Sequence, residues 1–252
     1  MNDREVVFIT GASSGIGAAT ARRLAAPDRP VVLLGRRADP LTAVADDIVA
    51  AGGIARAVVG DVTSDASVGE ALEVVRELGR LQVLVANAGV MPLAPLEDTD
   101  LEDWRRTIDV NLTGVVRCLH AALPDLLAQR RGDIILISST AGRQLFPETT
   151  VYAATKAAVN HLGECLRADL ARRTAKSGGH LRVGVIEPGI VMTELFDSIN
   201  HADMRSAVRD FVEDCREPLT PEDVADAVAW MVSTPPHVSI NDVVIRPTAM
   251  SR

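Results

Sequence analysis

Short β-branched runs alternate with longer apolar stretches of helical period along nearly the whole chain. Val6 to Thr10, Val31 to Leu34, Ala55 to Val59, Val83 to Ala86, Asp133 to Ser138, Leu181 to Glu187 and Val243 to Arg246 read as strands. Most are continuous apolar runs, the pattern of strands buried on both faces. Gly15 to Ala26, Leu41 to Ala51, Ser64 to Leu78, Leu101 to Gln129, Val151 to Arg173 and Pro221 to Val232 read as helices. Pro124 falls near the last turn of the Leu101 to Gln129 helix and predicts a kink or an end there. Pro221 opens the last helix, where a missing N–H does least harm. The alternation predicts an α/β chain folded as a doubly wound, seven-stranded parallel sheet with helices on both faces, a single Rossmann domain over residues 1–252. No repeat, low-complexity segment or long linker divides it. The rhythm breaks between Pro188 and Pro218, where Met192, Leu195, Phe196, Ile199, Met204, Val208 and Phe211 follow a Pro-Gly turn at helix-like spacing. An apolar excursion at the carboxyl end of a strand predicts a flap over a ligand crevice, residues 188–218. An extra packing helix pair is the plainer alternative.

Composition narrows the partners. Apolar residues make up 47% of the chain and aromatics 3%, so the core must be aliphatic. A net charge of −8 argues against nucleic acid as a partner, and no polybasic run points to a membrane surface. Cys118, Cys165 and Cys215 are widely spaced and odd in number. They read as reduced packing residues rather than a disulfide framework. The chain opens Met1-Asn2-Asp3-Arg4-Glu5 and leads directly into the first strand, with no apolar leader or membrane-length run. This predicts a cytoplasmic protein. Five scattered histidines form no metal-binding pair.

The first strand runs into Thr10-Gly11-Ala12-Ser13-Ser14-Gly15-Ile16-Gly17, which opens the first helix. Gly11 suits a tight turn, Gly15 a close backbone approach to a pyrophosphate, and Gly17 close helix–sheet packing. The amides of Ser13, Ser14, Gly15 and Ile16, at a positive helix end, suit phosphate oxygens. The spacing is GxxxGxG, not the common GxGxxG. At the end of the second strand, Gly35 stands where NAD binders usually place an acid, and Arg36 and Arg37 follow. Guanidinium groups there predict NADP(H) over NAD(H), because they pair with a 2′-phosphate that an acid would repel. Solvated surface arginines are the plainer reading. Asp61 and Val62 follow the third strand, where the carboxylate would accept from an adenine amino group or cap the next helix.

The rarest residues carry the chemistry. Tyr152 is the sole tyrosine, and Lys156, one of two lysines, lies one helical turn beyond it. On a helix they share a face, an arrangement in which the ammonium, together with the positive charge of an oxidised nicotinamide, is expected to lower the phenol's pKa from about 10 toward neutrality. Ser139 ends the fifth strand, where its hydroxyl can hold a substrate oxygen. Alternation points Ser138 the other way.

The glycine turn, Asn87-Ala88-Gly89, Asn111, Ser139, Tyr152-x-x-x-Lys156 and Pro188-Gly189 with Thr193 occur in this order over essentially the whole chain. Together they resemble the classical short-chain dehydrogenase/reductase superfamily. Within it the chain is similar to the NADP-dependent branch of clavulanate and 3-hydroxy acid dehydrogenases, a likeness that Arg36-Arg37 and the run Ile245 to Thr248 support. The family's usual Asn-Asn-Ala-Gly is Ala86-Asn87-Ala88-Gly89 here. The resemblance implies an oxidoreductase moving a hydride between a nicotinamide and a secondary alcohol or ketone. It selects Ser139 as the site serine and Tyr152 as general acid/base. Lys156 would also bind the nicotinamide ribose, and Asn111 would distort its helix and anchor a proton-relaying water. Backbone near Pro188, Gly189 and Ile190 would hold the carboxamide, and Thr193 the pyrophosphate. Residues 140–151, including Thr140, Gly142, Leu145, Phe146 and Glu148, would line the substrate side with Arg143 as a further polar contact. The small-molecule substrate would be moderately apolar. The helices Leu101 to Gln129 and Val151 to Arg173 carry surplus apolar surface, and the resemblance implies a homo-oligomer, a tetramer or dimer, built on them. An epimerase or dehydratase and a non-catalytic NADP sensor are the alternatives. The first is usually longer, and the second tends to lose the Tyr or the Lys.

Overall fold

The computed structural model describes residues 4–249, and of residues 175–177 the backbone alone; Met1, Asn2 and Asp3 of the opening run lie outside the described residues. The strands are β1 (Glu5–Thr10), β2 (Val31–Gly35), β3 (Ala55–Val59), β4 (Arg80–Ala86), β5 (Arg131–Ile137), β6 (His180–Pro188) and β7 (Asp242–Ile245). They form one sheet in the order β3-β2-β1-β4-β5-β6-β7, every pairing parallel. The helices are α1 (Gly15–Leu24), α2 (Ala38–Ala50), α3 (Asp65–Leu78), α4 (Leu101–Ile108), α5 (Gly114–Gln129), α6 (Thr150–Ser177), α7 (Ala202–Asp214) and α8 (Pro221–Ser233). This is the expected doubly wound Rossmann architecture. Strand order reverses between β1 and β4, so their carboxyl ends open a crevice there.

Alternation along each buried strand builds two cores. Val6, Phe8, Val32 and Leu34 face α3, α5 and α6 through Val68, Leu72, Leu119 and Val159. Val7, Ile9, Val31 and Leu33 face α1, α2 and α8 through Ala18, Leu24, Val44 and Val228. Across the sheet, Arg182 of β6 pairs with the buried Asp133 of β5 at 2.5 and 2.9 Å. The same guanidinium donates to the carbonyls of Val232 (3.2 Å), Thr234 (2.9 Å) and Val238 (2.9 Å), which fixes the end of α8.

One expectation changes. The helix expected over Leu101 to Gln129 is not continuous: a π-helical turn, Asp109–Thr113, separates α4 from α5. Such a turn widens the backbone ring and re-aims the side chains it carries. Pro124 lies inside α5 without ending it. Burial of Leu119, Ala122 and Leu126 holds that stretch together across the missing backbone bond. Elsewhere the boundaries move by a few residues at element ends, the largest shift being α6, which extends to Ser177.

The stretch after β6 leaves and rejoins the sheet at one place. Val191 and Leu219 form a parallel bridge, with Met192 N donating to Leu219 O (2.8 Å) and Leu219 N to Ile190 O (3.0 Å). Between them lie a 3₁₀ turn, Glu194–Ser198, and α7. Ile199 is fully buried. Ser198 Oγ donates to Leu195 O (2.6 Å) and accepts from Met91 N (2.8 Å), which ties the turn to the loop after β4.

Candidate active site

The glycine turn is shaped by close approach. Gly11 has φ +65°, and a Cβ on it would stand 2.8 Å from Ala88 Cα, a contact no side chain tolerates. A Cβ on Gly17 would stand 2.4 Å from Gly11 O, so α1 packs directly on the turn it follows. Asn87 fixes the turn from β4: its Nδ2 donates to Thr10 O (2.9 Å) and Gly11 O (3.2 Å). The buried Thr10 hydroxyl accepts from the amides of Asn87 and Ala88, both at 3.1 Å. Ser14 sits at the N-cap of α1 yet makes no side-chain cap bond. The first amides of that helix therefore face the crevice without a capping oxygen, as a phosphate requires.

The two arginines after β2 do different things. Arg37 Nη2 donates to Ser14 Oγ (2.7 Å) and Ser13 Oγ (3.2 Å), and its Nη1 pairs with Glu194 at 2.6 Å. Arg37 and Ser14 hold the Glu194 carboxyl below the usual carboxylate range. Thr193 lies against the turn, its methyl 3.1 Å from where a Gly15 Cβ would be. Arg36 has a looser contact, 3.9 Å to Asp61. Asp61 accepts from Thr63 N (2.9 Å), whereas the cap of α3 is Ser64.

The second half of the site gathers on β5 and α6. The Ser139 side chain accepts from Ala141 N (3.1 Å) and faces the same cavity as Tyr152, whose pKa it draws down. Ser138 points away and donates to Lys156 O (3.0 Å). Lys156 Nζ donates to Ile137 O (3.0 Å) and lies 5.7 Å from the centroid of the Tyr152 ring. Both side chains are buried. Burial lowers the Lys156 pKa to about 8. Burial also raises the phenol, and the neighbouring Ser139 hydroxyl only partly opposes it. The expected acidification of Tyr152 by Lys156 is thus not met by the protein's own groups: desolvation of the phenolate outweighs a cation that lies over the ring rather than at the hydroxyl. Asn111, carried by the π turn, accepts from Val90 N (2.8 Å) and donates to Val90 O (2.9 Å) and Thr155 Oγ1 (3.4 Å). Its amide thereby holds the turn after Gly89.

These pieces border one cavity of about 660 Å³. Every residue expected to act on the substrate oxygen or to hold the cofactor lines it except Gly17 and Asn111, which stand one layer behind. The substrate side differs from expectation. Thr140 and Phe146 line the cavity, but Gly142, Leu145 and Glu148 do not. Leu145 points fully into solvent. Glu148, at φ +63°, borders a separate small cleft beside Trp104. Arg143 turns outward to Glu187, a carboxylate with no exposed surface, at 2.5 Å.

Residues 5–204 match the family described as short chain dehydrogenase. The chain belongs to that family. An uncharacterized oxidoreductase of Listeria innocua, Lin0452, is 34% identical over 245 residues, 97% of this chain and 96% of the relative. A closed form of serine dehydrogenase complexed with NADP+ superposes with a TM-score of 0.87 at 34% identity, covering 98% of this chain and 96% of that one. An alcohol dehydrogenase from the archaeon Thermococcus sibiricus, complexed with 5-hydroxy-NADP, gives 0.83 at 27% identity and 99% coverage of both chains. The protein is accordingly an oxidoreductase of the short chain dehydrogenase family.

In this short chain dehydrogenase, sequence reasoning missed Thr10, Glu194 and the cavity residues Met91 and Leu93. Thr10 carried a signal, a polar residue closing an otherwise apolar strand. The other three carried none, because their roles depend on contacts between distant loops. The cysteine reading holds for Cys118, which burial in the core pushes up to about 12. All three cysteines are free, but the packing role fails for Cys165, which is exposed on α6. Among the described residues no helix is long and apolar enough to cross a membrane.

Proposed function

We propose that the protein is an NADP(H)-dependent oxidoreductase that interconverts a secondary alcohol and a ketone or aldehyde, with Tyr152 as general acid/base. The observation that carries this reading is the convergence of Ser139, Tyr152 and Lys156 on one cavity, between its glycine-turn half and an apolar half. When bound, the nicotinamide supplies or accepts the hydride. The amides of Ser13 to Ile16 receive the pyrophosphate, aided by Thr193. Arg36 and Arg37 receive the 2′-phosphate, while Asp61 and Val62 border the adenine, and Asn87 to Gly89 the ribose side. Backbone at Pro188, Gly189 and Ile190 holds the carboxamide. Three structural observations fit these roles: the uncapped helix start, two cations beside Gly35 and no acid at that position. NADP in related structures supports the same choice.

Ser139 orients the substrate oxygen and Tyr152 exchanges its proton with it. A phenol held above its ordinary value stays protonated at neutral pH, which suits donation to a carbonyl oxygen in the reductive direction. Lys156, an ammonium below about pH 8, steadies the phenolate left behind and binds the ribose hydroxyls. Asn111 holds the wall beside Lys156. Segment 188–218 acts as the substrate-side flap of a single domain. The chain works in the cytoplasm as a homo-oligomer built on α4, α5 and α6, where Leu101, Ile108 and Val116 are exposed.

Tyr152→Phe tests the assignment. NADPH oxidation with a ketone panel should fall by about 10²–10⁴-fold, while NADPH binding, read by fluorescence titration, stays within error. Undiminished turnover in the variant would remove Tyr152 from the proton path.

A further inference from the structure

The chain has four phenylalanines, and three of them, Phe146, Phe196 and Phe211, line this one cavity. Their neighbours on the wall include Met91, Leu93 and Met204, and most of the set packs into one cluster with the Tyr152 ring. Phe211 lines the cavity with 51% of its surface exposed, which places it at the mouth. In an aromatic-poor chain this gathering is a wall for an apolar group next to the reacting hydroxyl.

The charges point the same way. Arg143 is the one cation between Ser139 and Val151, and the buried Glu187 holds it outside the cavity. Asn160 Nδ2 donates to the same carboxylate at 3.1 Å, and Asp242 stands 3.8 Å from Arg143. Lys156 is bound to Ile137 O behind Tyr152. Arg36 and Arg37 sit at the glycine-turn end. The flap contributes acids to the lining, Glu194 and Asp197. The remaining cation, Arg106, is exposed on α4 one helical turn before Val110. A carboxylate bound among the phenylalanines would be desolvated with no cation facing it from the substrate loop or the flap, a costly arrangement.

We infer that the substrate is an uncharged ketone or secondary alcohol bearing an aryl or bulky alkyl group, and that hydroxy and oxo acids are rejected. This rests on the alcohol–ketone reading above. It also sets the chain apart from the amino acid in the name of its neighbour, serine dehydrogenase.

A matched pair isolates the charge: 4-oxo-4-phenylbutanoate and its methyl ester, each assayed with saturating NADPH. The ester should exceed the free acid in kcat/KM by about 100-fold or more. Phe196→Ala should lower the ester's kcat/KM by about ten-fold or more with the NADPH dissociation constant unchanged; Phe196→Leu, which keeps the apolar bulk, should recover most of it. Equal or better use of the acid overturns the inference, and loss of that preference in Arg106→Gln would identify the cation responsible. If neither compound is turned over, thermal shift of the NADPH complex decides. Stabilisation by the ester alone upholds the apolar site while the alcohol–ketone reading falls, and stabilisation by the acid alone, or by neither, overturns the apolar site as well.

Discussion

Lys156 shows how one buried side chain sets a pH window. Its folded pKa of about 8 lies below the ordinary 10.5. The unfolded chain therefore holds the proton more tightly than the folded one, and stability rises with pH between those values. The penalty is full below about pH 8 and gone above 10.5. Its size is on the order of 3 kcal/mol. Lys156→Met should thus be more stable than the parent at pH 7 by roughly 2–3 kcal/mol in urea unfolding, and the two curves should converge by pH 10.5. A gap that persists at high pH would mean packing, not charge, separates them. The Tyr152 hydroxyl pulls the opposite way, but only at higher pH. A phenol raised in the folded state favours folding while it is protonated, and that contribution fades as pH climbs through the folded value. The lysine that assists the proposed reaction is in this sense a destabilising residue retained at the site.

Among the elements, the ion pair between Arg37 and Glu194 links the loop after β2 to the turn after β6. It closes over the same serines that flank the glycine turn. A 2′-phosphate and Glu194 would compete for one guanidinium. Glu194→Gln should therefore tighten NADPH by about two- to five-fold, in keeping with a half-exposed pair worth under about 1 kcal/mol, and leave NADH unchanged in equilibrium titrations. Weaker NADPH binding in the variant would instead show that Glu194 aims Arg37 at the phosphate. Elements of this kind divide into those legible in the sequence and those not. The strands, the glycine turn and the Tyr152–Lys156 pair were legible because each is a local pattern: a period, a spacing or one helical turn. The π turn at Asp109–Thr113 was not legible from the local pattern, since Val110 and Leu112 keep an apolar rhythm that an ordinary helix also satisfies; only the family resemblance pointed to a distortion at Asn111. The outward turn of Arg143 was not legible either. Its partner Glu187 is 44 residues away and reads in sequence as one more position of a buried strand.

Across the whole molecule, Arg182 joins more parts than any residue of the site. It pairs with Asp133, whose carboxyl burial holds above its usual range, and binds the chain after α8 through several carbonyls. Arg182→Leu strands a buried carboxylate and those carbonyls together, with an expected loss of about 3–5 kcal/mol. Tm should fall by roughly 10 °C, and Asp133→Asn in the same chain should restore part of it. A drop of a degree or two would show that solvent reaches Asp133. The bridge between Val191 and Leu219 has a different reach. Because the excursion departs and returns at adjoining points of the sheet, its length and lining can drift without moving a strand or the glycine turn. The scaffold thus resembles a handle with an exchangeable bit: one wall of the cavity can be rewritten in fewer than thirty residues while Ser139, Tyr152 and Lys156 stay where β5 and α6 put them.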